Sequence, residues 1–201
     1  FIRLLADVGD DDLAIKNAGD LHDSYLVDAG SVEPNVAAAA TGVVVSKGDS
    51  AQYEVFLDKY HNPTTPQEER RYQSALSAFS GEAEMDRTLA MSLDGTVRTQ
   101  DAPYLLAVCM RNKEQGYRAW EFVKSNWDKI NKDFPSNSIV RMLSGVTSLS
   151  KPEQAADVIA FFDDHEVPQG QLTLQQTLEK LRVNVALRER ESGSFSDSLT
   201  R

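Results

Sequence analysis

Apolar residues in this chain recur with the 3.6-residue period of an α-helix almost from end to end, and that regularity restricts the fold more than any other feature. Trp120, Val123, Trp127 and Ile130 stand at offsets of three, seven and ten, a single stripe down one helix face. Leu174, Leu178, Leu181 and Val185 repeat the pattern at offsets of four, seven and eleven. No alternating pattern of the kind a sheet needs competes with these stripes. Val43-Val44-Val45 comes nearest and is too short.

The punctuation fits the same reading. Thr65-Pro66-Gln67-Glu68 places Thr at an N-cap, Pro at the first helical position and Glu at the third. Ser150-Lys151-Pro152-Glu153 reads as a second capping box with Ser150 as the cap. Gly30, Gly48, Gly81, Gly95 and Gly116 border periodic stretches, as left-handed C-caps and turn residues do. Helices are expected near 10–29, 34–47, 50–60, 66–79, 82–93, 101–111, 117–132, 136–147, 152–165 and 171–190. The fold class is therefore all-α, a bundle or a stack of helical hairpins. A hairpin spacing of about 30–37 residues suits an α-superhelix of antiparallel helix pairs, a HEAT/armadillo-like α-solenoid whose repeat has no strict consensus. One helical domain is expected over 1–191, followed by a polar, disordered tail over 192–201.

Composition excludes several functions. With 201 residues the chain can bury roughly 70% of its unfolded surface, so its folding needs neither disulfide nor metal. Its 21 Lys+Arg against 31 Asp+Glu give a net charge of −10, which repels nucleic acid and anionic membranes, and neither is expected as a partner. The seven Asp within residues 1–30 read as a solvated helix face, because their spacing does not match a calcium loop. The longest apolar run, Val36 to Val45, is too short to span a bilayer. A lone cysteine, Cys109, fits a reducing compartment, and a cytoplasmic location is expected. The chain opens on Phe1 rather than Met and is expected to be a piece of something longer.

No complete active site emerges from the motifs, and neither catalytic nor metal-ligating residues are expected. His165-Glu166 has Gln169 where a zinc helix needs its second His, and Pro168 would break that helix; His165 is expected at a helix end instead. Asp163-Asp164 resembles a magnesium-binding carboxylate pair, but Val167 stands where a third acid is required. Ser148-Leu149-Ser150-Lys151 matches a Ser-x-x-Lys motif in form, without a companion motif. Cys109 sits in an apolar helix and reads as a buried structural thiol. His22, His61 and His165 lack ligand partners at metal spacing.

Three segments carry a family resemblance. They are Thr65-Pro66-Gln67-Glu68-Glu69-Arg70-Arg71-Tyr72; then Val97-Arg98-Thr99-Gln100-Asp101 followed by the string Ala119 to Ile130 (AWEFVKSNWDKI); then Phe161-Phe162 with Thr177 to Asn184 (TLEKLRVN). Together they resemble the C-terminal region of zinc aminopeptidases of the aminopeptidase N and puromycin-sensitive type. The resemblance is close over roughly 50–190 and loose over 1–49. In that family a Gly-x-Met-Glu-Asn strand and a His-Glu-x-x-His zinc helix do the catalytic work, and neither occurs here. The resemblance thus implies no cofactor in this chain and zinc in the parent enzyme's catalytic domain, and this chain alone is not expected to be an enzyme.

What the resemblance does imply is a bowl-like helical domain that encloses the active-site cavity and controls the access and orientation of peptides, while the intact enzyme removes their N-terminal residues. Its partners would be the parent's catalytic domain and the peptide substrate. Arg98, Gln100 and Asp101 then have two readings. In one, Asp101 or Thr99 caps the helix beginning near Ala102, and Arg98 pairs with a nearby acid. In the other, the loop faces the cavity and binds substrate or the catalytic domain. Trp120 and Trp127 are expected to pack between helices. A separated piece should expose an apolar patch, with Val36 to Val45 as a candidate, and self-associate. The alternative of a different class is a free-standing helical scaffold that binds protein partners.

Overall fold

The computed structural model describes residues 1–199, and all regular structure among them is helical. A π-helical turn, Leu4–Val8, precedes α1 (Asp12–Val27), α2 (Pro34–Ser46), α3 (Ser50–His61), α4 (Pro66–Leu76) and α5 (Glu82–Met91). Then come α6 (Ala102–Cys109), α7 (Gly116–Ser125), α8 (Trp127–Asp133) and α9 (Ser136–Met142), the last continuing as a 3₁₀ segment, Leu143–Ser148. The chain ends with α10 (Pro152–Asp164), a 3₁₀ turn at Pro168–Gly170, and α11 (Gln171–Leu199). Residues 200 and 201 of the expected polar tail lie outside the described residues, and α11 takes up the rest of that segment.

Local chemistry explains most boundaries. α1 starts late because the Asp11 carboxylate accepts the Ala14 N–H at 2.7 Å. Thr65 caps α4 as expected, accepting the Glu68 N–H at 3.1 Å, with Pro66 at the first helical position. Ser150 does not cap α10. Pro152 takes the first helical position, which its missing N–H and fixed φ favour, so Lys151 falls at the N-cap and makes no side-chain cap bond.

The single helix expected over 117–132 is broken at Asn126, whose φ and ψ are −114° and 16°. Its side-chain amide donates to the Phe122 carbonyl at 2.8 Å and so competes with the backbone ladder. The helix expected over 136–147 tightens after Met142, where Gly145 is pressed against α6. A Cβ at Gly145 would stand 2.7 Å from the Ala107 carbonyl oxygen. Among the described glycines only Gly95 has a positive φ, 93°, so the other four bordering glycines are not left-handed caps. Gly116 opens α7 instead, where a Cβ would lie 2.6 Å from the Met110 carbonyl oxygen.

The chain divides into two compact units, Phe1–Met85 and Asp86–Arg201. In the first, α1 packs on α2 through Ala18, Ala40 and Val43, and an aromatic cluster joins α3 and α4. Phe56 stands edge-on to Tyr72 at 5.5 Å and to Phe79 at 5.7 Å. Val36 to Val45 is not the exposed patch expected. Ala37, Ala40, Thr41, Val43, Val44 and Val45 are buried, because a helix apolar on every side is a core helix. Exposed large apolar side chains include Phe1, Leu4, Leu5, Val8 and Leu13, close together in sequence at the start of the first unit.

In the second unit, α6 packs on α9 and on the 3₁₀ segment, which also carries α11. Trp120, Val123, Trp127 and Ile130 are all buried, so the break at Asn126 preserves the stripe. Trp120 and Trp127 pack against Phe161 of α10 at 5.2 and 5.4 Å, as expected of packing residues.

Candidate functional site

The loop joining α5 to α6 carries the three residues selected from sequence. The Asp94 carboxylate accepts the Thr96 N–H at 2.8 Å, Gly95 turns the chain at positive φ, and buried Val97 donates its N–H to the Met91 carbonyl at 3.0 Å. That anchor leaves Arg98 and Gln100 exposed and Asp101 half-buried. The Arg98 carbonyl accepts from the N–H groups of Asp101, at 2.8 Å, and Ala102, at 3.0 Å. Asp101 occupies the N-cap position of α6, but its φ of −98° and ψ of −26° are helical and its side chain makes no cap bond. The expected carboxylate cap is therefore replaced by backbone closure onto Arg98. Beside this loop lies a cleft of about 400 Å³ lined by Gly95, Val97, Thr99, Lys132, Asp133 and Phe134. Thr99 is thus the residue of the 98–101 segment that forms its wall. The loop offers a guanidinium, an amide and a carboxylate, groups that can bind and orient a polar ligand through charge and hydrogen bonds.

Two features escaped the sequence. One is a cavity of about 370 Å³ in the first unit, floored by Ala37, Thr41 and Val45 of α2 and Ala75 of α4, with Arg3 and Arg71 at its edge. Arg71 donates to the Tyr25 hydroxyl and lies 5.4 Å from the centre of that ring. Small residues at matching positions on two helices were the available signal, legible only once the helices are paired.

The other is a polar hub beneath the tryptophans. Tyr117, Trp120 and Lys124 follow one another at helical spacing on α7, and all three reach Asp157 of α10. Trp120 Nε1 donates at 2.7 Å, Lys124 Nζ lies 2.6 and 2.8 Å from the two oxygens, and the Tyr117 hydroxyl donates at 3.3 Å. Burial works against the charge on Asp157, but the bonds from Lys124 and Trp120 and the lysine's charge outweigh it and hold the carboxyl below its usual range.

The other titratable candidates are structural. Burial pushes the Cys109 thiol up to about 12. His22 is buried, its Nδ1 3.0 Å from Thr41 Oγ1, and its ring stacks on Phe56. Burial lowers its pKa against the pull of Asp23. His165 follows the last residue of α10, donates from Nδ1 to the Phe161 carbonyl at 2.8 Å and stacks on that ring at 3.8 Å. Among the described residues no three His, Cys, Asp or Glu side chains are placed to hold a metal, and these histidine contacts do not suit a zinc ligand set. No described helix is long and apolar enough to cross a membrane.

Residues 1–183 match the family of ERAP1-like C-terminal domains, so the match includes the N-terminal segment where the resemblance is loosest. The chain is similar to aminopeptidase M1-B of Oryza sativa subsp. japonica, 31% identical over 70% of this chain and 16% of the relative. It is also similar to aminopeptidase M1 of Arabidopsis thaliana, at 29% over 91% of this chain and 21% of the relative. Endoplasmic reticulum aminopeptidase 2 of Bos taurus is 28% identical over 85% of this chain and 18% of its own length. The chain thus spans about a fifth or less of each of these relatives. It belongs to the family of ERAP1-like C-terminal domains, the helical C-terminal part of M1 aminopeptidases.

Proposed function

We propose that this chain is the non-catalytic part of a zinc-dependent aminopeptidase, enclosing the active-site cavity and controlling which peptides reach it and how they lie. The observation that carries this reading is a match to a C-terminal domain family over residues 1–183, in a chain that spans only 16–21% of the aminopeptidases it resembles. Zinc, polarising a peptide carbonyl and activating water, would act in the remainder of such an enzyme. The role of this chain is enclosure. A wall of packed helices keeps bulk water from the reacting groups and strengthens the electrostatics there. The exposed Arg98 and Gln100, with the half-buried Asp101, would meet substrate or the catalytic domain. Burying Phe1, Leu4, Leu5, Val8 and Leu13 would favour docking, and leaving them open would favour self-association.

The test is to assay the upstream catalytic portion without this region on peptides of several lengths, then add this chain in trans. A change in rate, or in its dependence on peptide length, is the expected result. Demonstrated binding with no change in either would overturn the enclosing role.

A further inference from the structure

A second cleft, of about 320 Å³, lies wholly within the second unit and differs in chemistry from the other two. Arg111, Lys113, Lys151 and Arg188 line it, with Glu114 as the carboxylate in its wall. That concentration of positive charge stands in a chain whose net charge is −10. The four cations come from three parts of the sequence, Arg111 and Lys113 from the α6–α7 connection, Lys151 from the start of α10 and Arg188 from α11.

Arg111 follows the end of α6, its N–H bonded to the Val108 carbonyl at 2.9 Å and its Nη2 to Ser144 Oγ at 2.8 Å. The serine is neutral, so that bond orients the guanidinium without cancelling its charge. Lys113 sits in the turn before α7, 3.7 Å from Glu114, too far for a tight pair. Lys151 is the N-cap residue of α10, where the first N–H groups lack a side-chain acceptor and add the positive end of the helix dipole. Arg188 lies one turn beyond Asn184, whose side chain donates to the Thr147 carbonyl at 2.8 Å and fixes that face of α11 on the 3₁₀ segment. Among the described residues Lys151 and Arg188 make no ion pair.

Like charges gathered in one concavity repel one another, and an anion between them relieves that repulsion. We propose that this cleft binds a small phosphorylated anion. A phosphoryl group brings three acceptor oxygens and close to two negative charges, enough to engage cations arriving from several directions. A lone carboxylate has two oxygens and one charge, and would leave most of the cations unmatched. Ser148 and Ser150, which also line the cleft, add neutral donors. The Ser-x-x-Lys motif accordingly contributes its two hydroxyls and its ammonium to binding and needs no nucleophile.

The test is calorimetric titration of the full chain with inorganic pyrophosphate at low salt, with acetate as the monoanion control and circular dichroism to verify folding. One saturable site is expected for pyrophosphate, with acetate at least about tenfold weaker. Lys151→Gln with Arg188→Gln should weaken pyrophosphate about a hundredfold, about tenfold for each charge-assisted bond lost. Lys16→Gln, which removes a cation that does not line the cleft, should bind as the parent does. The proposal is overturned if no saturable site is found, if acetate binds as well as pyrophosphate, or if the folded double variant retains the parent's affinity.

Discussion

Replacing Asp157 by alanine tests how far the second unit depends on its polar hub. Trp120 has no exposed surface, and its Nε1 lies 2.7 Å from Asp157 Oδ2. An N–H left there without an acceptor costs about 1–3 kcal/mol. The Lys124–Asp157 pair is partly open, with side chains 23% and 32% exposed, so solvent screening limits its share to about 0.5–1 kcal/mol. The Tyr117 hydroxyl, 3.3 Å away, can turn to water and adds little. The expected loss for Asp157→Ala is about 2–3 kcal/mol. Asp157→Asn keeps an acceptor oxygen for Trp120 and should lose about 1 kcal/mol.

The assay is urea unfolding followed by tryptophan fluorescence. Both tryptophans of the chain lie in the second unit, so the signal reports that unit alone. With an m value of about 2 kcal/mol/M, the alanine variant's midpoint should fall by about 1–1.5 M. The difference should also depend on pH. The folded-state pKa of Asp157 is lowered, so its contribution is complete above the unfolded value of about 3.9 and is lost as pH falls through the folded value. The difference should therefore narrow in acid toward that between the asparagine and alanine variants, because a protonated carboxyl still offers Trp120 an acceptor oxygen. A loss below about 0.5 kcal/mol, or an asparagine variant as unstable as the alanine one, would refute the hydrogen-bond account.

Four further predictions concern packing, reactivity, caps and pH. Gly145→Ala would drive a Cβ to 2.7 Å from the Ala107 carbonyl oxygen, and should destabilise the second unit by about 1–3 kcal/mol in the same fluorescence assay. Cys109, fully buried and with its thiol raised to about 12, should resist a thiol-specific reagent at pH 8 in the folded chain and react at once in denaturant. Thr65→Ala should cost about 1 kcal/mol through the lost cap of α4, whereas Ser150→Ala, one residue short of the α10 cap, should be near neutral by thermal melting. Burial lowers the pKa of His22 in the folded state, so the first unit keeps its full stability above the unfolded value of about 6.5 and loses it as pH falls toward the folded value. Hydrogen exchange in α1–α3 between pH 7.5 and 5 should show that loss, and His22→Gln should flatten it.

Each of the ten expected helices has a helical counterpart in the structure because their signals are local. An apolar stripe and a capping residue are read within one or two turns, and the Thr65 cap is there to the residue. What went wrong depended on neighbours distant in sequence or on a choice between two adequate local solutions. The shortening of α9 at Gly145 follows from the approach of Ala107, which no window around 145 contains. At α10 the rule favouring Pro at the first helical position won over the rule favouring Ser at the cap. The burial of most of Val36 to Val45 follows from a test that the sequence does permit. A helix with no polar face has nowhere to meet water and belongs inside. The candidate site was less legible. Arg98, Gln100 and Asp101 are visible as a polar loop, but the cleft walls combine that loop with Lys132 to Phe134, and the cationic cleft combines residues as far apart as Arg111 and Arg188.

The residues that make the family recognisable are, for the most part, not those that could act on a ligand. Trp120, Trp127 and Phe161 form a buried aromatic contact, and Lys124 is held by Asp157. Substituting them should lower stability and, through it, every other property at once. Gln100, Lys151 and Arg188 are exposed and support no core, so their replacement should leave unfolding almost unchanged. Family likeness therefore identifies a scaffold here, and function must be sought where substitution alters binding while stability stays constant. A variant at Gln100 or Lys151 that lowered stability as much as one at Asp157 would erase that distinction and return the loop and the cationic cleft to structural roles.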